Sequence, residues 1–365
     1  MLSGSLQRRF SNSLKRVRKF VDKRARTGID APVDEAYNSA LHLAVQKGSH
    51  KKVLDLLQRG AYPNVTDQEN ATPLHMAVQF GHPHLIETLV NYGADVEAER
   101  NDSSRPIHLV RDSPKALECL EELLKCGADL NARNATGNNL LQLIVKSEEK
   151  DIKLIKKLLD SGIDVNNVDS LRNNCLHTVT GNPAIPHRRA RFIAKYLIDY
   201  GIDVNAKNML GETPLHEATA GDNDNIVSML FRNGVNLDVV NYDEMTAFDM
   251  AAECGNVSCL FLMIKYVIIN KHRNLPVHES VVRKIESDRD LTRTYRDFEK
   301  EFIGLKDKKI FNCSIYDILC RRVDNIVGAT EVDNPYEELS KSFVRSSIFY
   351  REIVETWNEI NRKRN

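Results

Sequence analysis

The residues with chemical capacity in this 365-residue chain are its eleven histidines, its seven cysteines and a few paired acids. A row of imidazoles can hold a metal ion, a thiolate can act as a nucleophile, and two neighbouring carboxylates can share acid–base work. Five histidines, His42, His75, His108, His177 and His216, fall at one position of a recurring phrase. A position that recurs with a fixed period does so for one structural reason, so a structural role is expected of them. His82-Pro83-His84 has no third ligand close by in sequence and is weak as a metal site. Cys254 and Cys259 lack a CxxC partner and read as buried, small apolar residues. Cys313 flanks Ser314, which reads as a helix cap and not as a nucleophile. Glu121-Glu122 and Glu148-Glu149 sit where solvated helix faces are expected. There is no phosphate-cradling Gly-rich loop, no GxGxxG after a strand and no GxSxG elbow. No enzyme activity, cofactor or metal is expected.

What positions these residues is a repeat. The phrase reads Ser39-Ala40-Leu41-His42, Thr72-Pro73-Leu74-His75, Arg105-Pro106-Ile107-His108 and Asn139-Leu140-Leu141-Gln142. It continues as Asn174-Cys175-Leu176-His177, Thr213-Pro214-Leu215-His216 and Thr246-Ala247-Phe248-Asp249. Its third position recurs at spacings of 33, 33, 34, 35, 39 and 33. A second phrase, Gly-x-Asp-x, keeps step at Gly93, Gly127, Gly162 and Gly201, with weaker copies at Gly60 and Gly234.

Seven copies of two phrases in register resemble the ankyrin repeat over about residues 36–270. The resemblance implies an all-α solenoid with short β-turn fingers, and histidine hydrogen bonds that tie neighbouring copies together. The residue types fit that scheme. Thr72 caps a helix and Pro73 takes its first position, where a missing N–H costs nothing. Leu74 and Ala77 face inward, and Gly81 ends the helix. Pro83 opens a second helix with Leu85, Ile86, Leu89 and Val90 at helical spacing. Neither helix buries its apolar face alone, so the copies must stack. Copy three is damaged, with Val110 for the small Ala and Pro114 near the Gly position. Copy five carries an insertion, residues 181–191, expected as a loop bearing Arg188, Arg189 and Arg191: either a tolerated surface loop or a partner-specific protrusion. The second helix of copy seven, residues 259–269, is apolar nearly all round, so a cover is expected on that end. Residues 271–365 are the first candidate and a second copy of the chain is the other.

Those last residues leave the repeat. An acid-rich stretch is followed by Ile310-Phe311-Asn312-Cys313-Ser314-Ile315-Tyr316-Asp317-Ile318-Leu319 and, later, by a helix through Tyr350 and Ile353. This pattern resembles the PRANC region that follows ankyrin arrays in poxvirus, parasitoid-wasp and endosymbiont proteins. It implies an F-box-like module, with Ser314, Ile315, Tyr316, Ile318, Leu319, Tyr350 and Ile353 docking on a Skp–cullin ligase core and the ankyrin face holding a substrate. Modulation of host signalling is the implied outcome. In the poxvirus members a Leu-Pro and an apolar helix follow the second element. Residues 361–365 close this sequence without them, so a purely structural cover is the alternative.

Lys plus Arg and Asp plus Glu are both 51, which gives no global field toward nucleic acid. Residues 1–27, however, hold nine basic residues against one acid. Leu2, Leu6, Phe10, Leu14, Val17 and Val21 recur there three or four apart, as in an amphipathic basic helix. Its readings are a cap on the first repeat, a mitochondrial presequence, an anionic-membrane contact and a nuclear import signal. The longest apolar run is too short for a bilayer, no secretory leader is read, and seven unpatterned cysteines make no disulfide framework. A reducing compartment, cytoplasmic with nuclear entry as an option, is expected. The expected domains are residues 1–35, 36–270 and 271–365.

The partner-binding surface is expected at positions the scaffold does not need. Phe80 is an aromatic at the end of an inner helix. Asn101, Asp102, Met209, Leu210, Tyr242 and Asp243 are turn tips. One or more proteins are the expected partners, with no small-molecule substrate. Two functions follow: a substrate adaptor for a cullin-type ubiquitin ligase, or a binding-only inhibitor that masks a signalling or Rel-type transcription factor.

Overall fold

The computed structural model describes residues 28–147, 152–275, 279–305, 307, 309–310 and 313–314, the last two pairs by backbone alone. The segments 1–27 and 315–365, with Ile315, Tyr316, Ile318, Leu319, Tyr350 and Ile353, lie outside the described residues, as do Glu148 and Glu149. The chain forms two compact units, Met1–Ile185 with Phe192–Asp203, and Pro186–Arg191 with Val204–Asn365.

In the first unit five helix pairs follow one another. They are α1 (Ala40–Gln46) with α2 (His50–Gln58), and α3 (Pro73–Gln79) with α4 (Pro83–Asn91). A 3-10 helix (Pro106–Asp112) pairs with α5 (Ala116–Lys125), and α6 (Leu140–Val145) with α7 (Ile152–Asp160). The fifth pair is α8 (Cys175–Gly181) with α9 (His187–Asp199), of which residues 192–199 belong to this unit. The short helix of each pair, the inner one, packs on the inner helix of the next, as α1 does on α3 and α3 on the 3-10 helix. Leu74, Ala77 and Val78 are fully buried between copies, with Leu85, Ile86 and Leu89 behind them. Each such leucine contributes about 1.5–3 kcal/mol by leaving water. Gly81, at φ +68°, closes α3, and a Cβ there would meet the Pro114 ring at 2.6 Å.

Copy three departs as its sequence suggests. Ser113, which precedes Pro114, is extended, so the inner element stops at Asp112 and is wound as a 3-10 helix. Val110 is fully buried in it. Two expectations are corrected. The insertion in copy five is a loop only at residues 182–186; Arg188, Arg189 and Arg191 lie in the first turns of helix α9, because Pro186 can precede a helix start without loss. Cys254 is not buried: it is the exposed C-cap of α12 (Ala247–Glu253), whereas Cys259 is buried.

The second unit holds the last two pairs, α10 (Pro214–Ala220) with α11 (Asp224–Arg232) and α12 with α13 (Val257–His272). Then come α14 (Glu279–Ser287), α15 (Arg289–Gly304) and a hairpin of β1 (Lys309–Ile310) and β2 (Cys313–Ser314). The apolar α13 is covered on one side by α11 and α12 and on another by α15. Phe298 of α15 meets Phe261 edge-on at 5.4 Å, and Phe302 is fully buried beside His272. Lys271 pairs with Glu299 at 2.7 Å. Helix α14 buries Val281 and Ile285 and packs on α15, and its Lys284 pairs with Asp249 of α12 at 2.7 Å. Asn274 stands where the glycine of other copies would, at φ +55°.

Candidate functional site

The five repeat histidines are spent on the scaffold. In each, the backbone N–H of the helix-capping residue donates to Nδ1: Ser39 to His42 at 3.1 Å, Thr72 to His75 at 3.1 Å, and Arg105 to His108 at 2.9 Å. Asn174 and Thr213 do the same to His177 and His216, both at 3.2 Å. An Nδ1 that accepts an N–H is unprotonated, so Nε2 carries the proton. His42, His75, His108 and His216 donate it to Ala71, Ser104, Ala132 and Met245 in the next copy, at 2.9–3.2 Å. No lone pair remains on these four rings for a metal. Burial pushes the His42, His75, His108 and His216 imidazoles below their usual range, His75 to about 4. In copy four Gln142 fills the slot, and its Nε2 donates to Asn173 O at 2.9 Å. In copy seven Asp249 fills it. Burial works to raise that carboxyl, but bonds from Lys284 and Thr246 outweigh burial and hold it low.

Nothing else described gathers into a reactive centre. Among the described residues no group of three His, Cys, Asp or Glu could hold a metal ion. His82 Nε2 donates to Gln46 O at 3.1 Å, and its ring packs edge-on against His84. Burial pushes the Cys175 and Cys259 thiols up to about 12, where they are inert. Among the described residues no helix is long and apolar enough to cross a membrane.

The surface that remains is the row of fingers between outer and inner helices. In each unit neighbouring tips are joined by backbone hydrogen bonds. In the first, Asn101 N donates to Glu69 O (3.1 Å), Ala135 N to Asp102 O (3.0 Å) and Ser170 N to Thr136 O (2.9 Å). In the second, Tyr242 N donates to Leu210 O at 3.0 Å. The first unit's tips are mostly polar and partly self-engaged, with Leu171 and Tyr37 as exposed apolar residues on separate fingers. Asn101 Nδ2 donates to Gln68 O at 3.2 Å. Asp102 accepts from the N–H and the hydroxyl of Ser104 at 3.0 and 2.9 Å, which, against burial, keeps its carboxyl low.

In the second unit the exposed apolar residues fall on two adjacent tips. Tyr242, Leu210 and Met209 are 77%, 61% and 52% exposed, and Val240 is exposed beside them. Gly211 (φ +76°) lets the fingers close up, since a Cβ there would sit 3.2 Å from Asn241 and Tyr242 backbone atoms. Asn241 Oδ1 accepts from Asp243 and Met245 N–H at 3.0 Å, so the tip is rigid. The structure thus brings Met209, Leu210, Tyr242 and Asp243 together on adjacent fingers. Asn101 and Asp102 share a tip in the first unit. Phe80, half-exposed, sits at the far end of an inner helix, about 10 Å along it from the finger that precedes it. The arginine trio lies on an outer helix and on no finger. Val240 and Leu171 are exposed apolar tip residues that sequence reasoning missed; their places beside Asn241-Tyr242 and Asp169-Ser170 in the turn are the available signal. Ser314 ends strand β2, opposite Lys309.

Residues 11–100, 41–134, 107–208 and 184–275 match the family described as ankyrin repeats (3 copies). No curated protein matches the sequence. Among solved structures the chain is similar to the crystal structure of the ankyrin repeat domain of Bcl-3, described as a unique member of the IkappaB protein family. The two are 28% identical with a TM-score of 0.53, over 61% of this chain and 98% of that one.

Proposed function

The chain belongs to the ankyrin-repeat family, and on that premise we propose that it is a protein-binding module whose main anchor is the apolar fingertip of its second unit. The observation that carries this is the exposure of Met209, Leu210 and Tyr242 on a backbone already fixed by Gly211 and Asn241. Exposed aromatic and aliphatic side chains on a rigid backbone lose little entropy on binding and make good anchors. The function is that of a binding-only inhibitor that masks a signalling or Rel-type transcription factor. Two things support it: the likeness to an ankyrin domain of the IkappaB family, and the use of α15 as packing for the last repeat. The domains follow as residues 1–35, 36–270 and 271–365, and the site of action as the cytoplasm or nucleus. The second reading, an adaptor for a Skp–cullin ligase, keeps one support, the PRANC-like phrase of residues 314–319.

The test compares full-length chain with its Leu210→Asp, Tyr242→Ser variant, each tagged and purified from cells, with bound proteins identified by mass spectrometry. A partner present with the parent and lost with the variant, at unchanged thermal unfolding, supports the site. Equal capture by both refutes it. Cullin-core proteins on both chains would establish the adaptor reading in place of the inhibitor.

A further inference from the structure

The position after the repeat histidine is apolar in five copies, as Leu43, Met76, Leu109, Leu143 and Met250, and is Thr178 in copy five. In copy six it is Glu217. No bond of the scaffold accounts for the exchange. Glu217 is half-buried in the first turn of α10 and, among the described residues, makes no hydrogen bond and no ion pair. A first-turn acid gains from the helix dipole. Even so, burial, and after it the like charge of Glu212, push the Glu217 carboxyl above its usual range.

This carboxylate is continuous with the fingertip. Asn208 Oδ1 accepts the N–H of Leu210 at 2.9 Å and that of Glu212 at 3.0 Å, so Glu212 and the Leu210 anchor share one fixed turn. At most about 17 Å of chain separates Leu210 from Glu217, a span that about five residues of an extended peptide cover. The charge along this strip has one sign. Residues 204–253 hold nine acids against two bases, Lys207 and Arg232. Lys207 Nζ donates to Val240 O at 3.1 Å, and Arg232 donates to Ser228 Oγ at 3.2 Å on the outer helix α11. Neither answers Glu217. Asp249 has its own cation in Lys284, whereas Asp243 and Glu244 are exposed beside Tyr242. A half-buried carboxylate without a counter-charge costs free energy in the unbound chain, and a cation brought by a partner offsets that cost.

We propose, on the reading that the fingertip is the anchor, that the partner presents a basic–apolar segment to the second unit. Its aromatic or aliphatic side chains meet Met209, Leu210 and Tyr242, and a lysine or arginine within about five residues of them pairs with Glu217. An acidic segment is repelled from the same strip by Glu212, Asp243 and Glu244.

Random peptides displayed on phage, panned against the full chain and against its Leu210→Asp, Tyr242→Ser variant, supply the probe. Peptides retained by the parent and not by the variant should carry Lys or Arg near an aromatic or aliphatic residue more often than the starting library does. The best of them, synthesised, should bind Glu217→Met at least about tenfold more weakly than the parent. With its base replaced by alanine, that peptide should bind both chains alike. Glu217→Met should unfold at no lower temperature than the parent, since Met76 and Met250 fill the same slot in other copies. Tip-dependent peptides without a basic excess, or equal binding to parent and Glu217→Met, overturn the pairing and leave the fingertip reading standing. Earlier unfolding of Glu217→Met overturns it too, by giving Glu217 a structural role. If no peptide tells the parent from the tip variant, the fingertip reading fails and the basic–apolar partner with it.

Discussion

Replacing His75 by Gln should reverse the order of stabilities between neutral and acid pH. His75 accepts from Thr72 N and donates to Ser104 O, and burial holds its imidazole at about 4. The unfolded chain keeps the ordinary histidine value near 6.5 and therefore binds the proton more readily. The native state is thus fully favoured above about pH 6.5 and loses stability as pH falls toward about 4. Linkage puts the loss from this one ring at about 2 kcal/mol by pH 5 and about 3 kcal/mol once below pH 4. Gln does not titrate, and Gln142 shows that the side chain makes both bonds in this slot. Near pH 7.5 His75→Gln should cost about 0.5–1 kcal/mol for poorer geometry. Near pH 5 it should be the more stable protein by about 1 kcal/mol. Urea unfolding of parent and variant, followed by helical circular dichroism at both pH values with a shared slope, measures the crossing. A parent–variant difference that is the same at both pH values would refute the assignment of a neutral, doubly bonded His75.

Three further outcomes are expected. Gly81→Ala should destabilise by about 2–3 kcal/mol in thermal unfolding, since its Cβ strikes Pro114 at 2.6 Å; Gly93→Ala, at a similar φ with open space around it, should cost only about 1 kcal/mol. Phe302→Ala should cost about 3–5 kcal/mol and expose α13 to the dye ANS; no dye binding would mean that α15 is not the cover. Asp249→Asn should lower urea stability by about 1–3 kcal/mol near pH 7, with the gap closing as pH falls below about 4, where the parent carboxylate takes up its proton. A gap that persists in acid would remove Lys284 from the account.

The repeat was legible because its demands are local and strict. The cap, the proline at the first helical position, the inward leucine and the closing glycine each have one cheap solution, so Thr72, Pro73, Leu74 and Gly81 state the helix pair outright. The histidine role was legible from period alone. Where tertiary contacts decide, the sequence was silent or misleading. Arg188, Arg189 and Arg191 read as loop because length alone marked the insertion, yet Pro186 restarts a helix at once. Cys254 read as buried by type, although a C-cap faces water. The fingertip patch was legible at Met209, Leu210 and Tyr242, since apolar residues at turn tips have no packing reason to be there.

The pairing of Asp249 with Lys284 bears on how such a chain can lengthen. A histidine in that slot looks forward for a carbonyl that only another copy supplies; an aspartate looks for a cation and finds it on α14. Tandem duplication can therefore add units upstream of residue 246 without disturbing any bond, but a unit spliced in downstream would meet a carboxylate where its own carbonyl needs a donor. The terminus of the array is written into one side chain, and growth of the gene is confined to the other side of it.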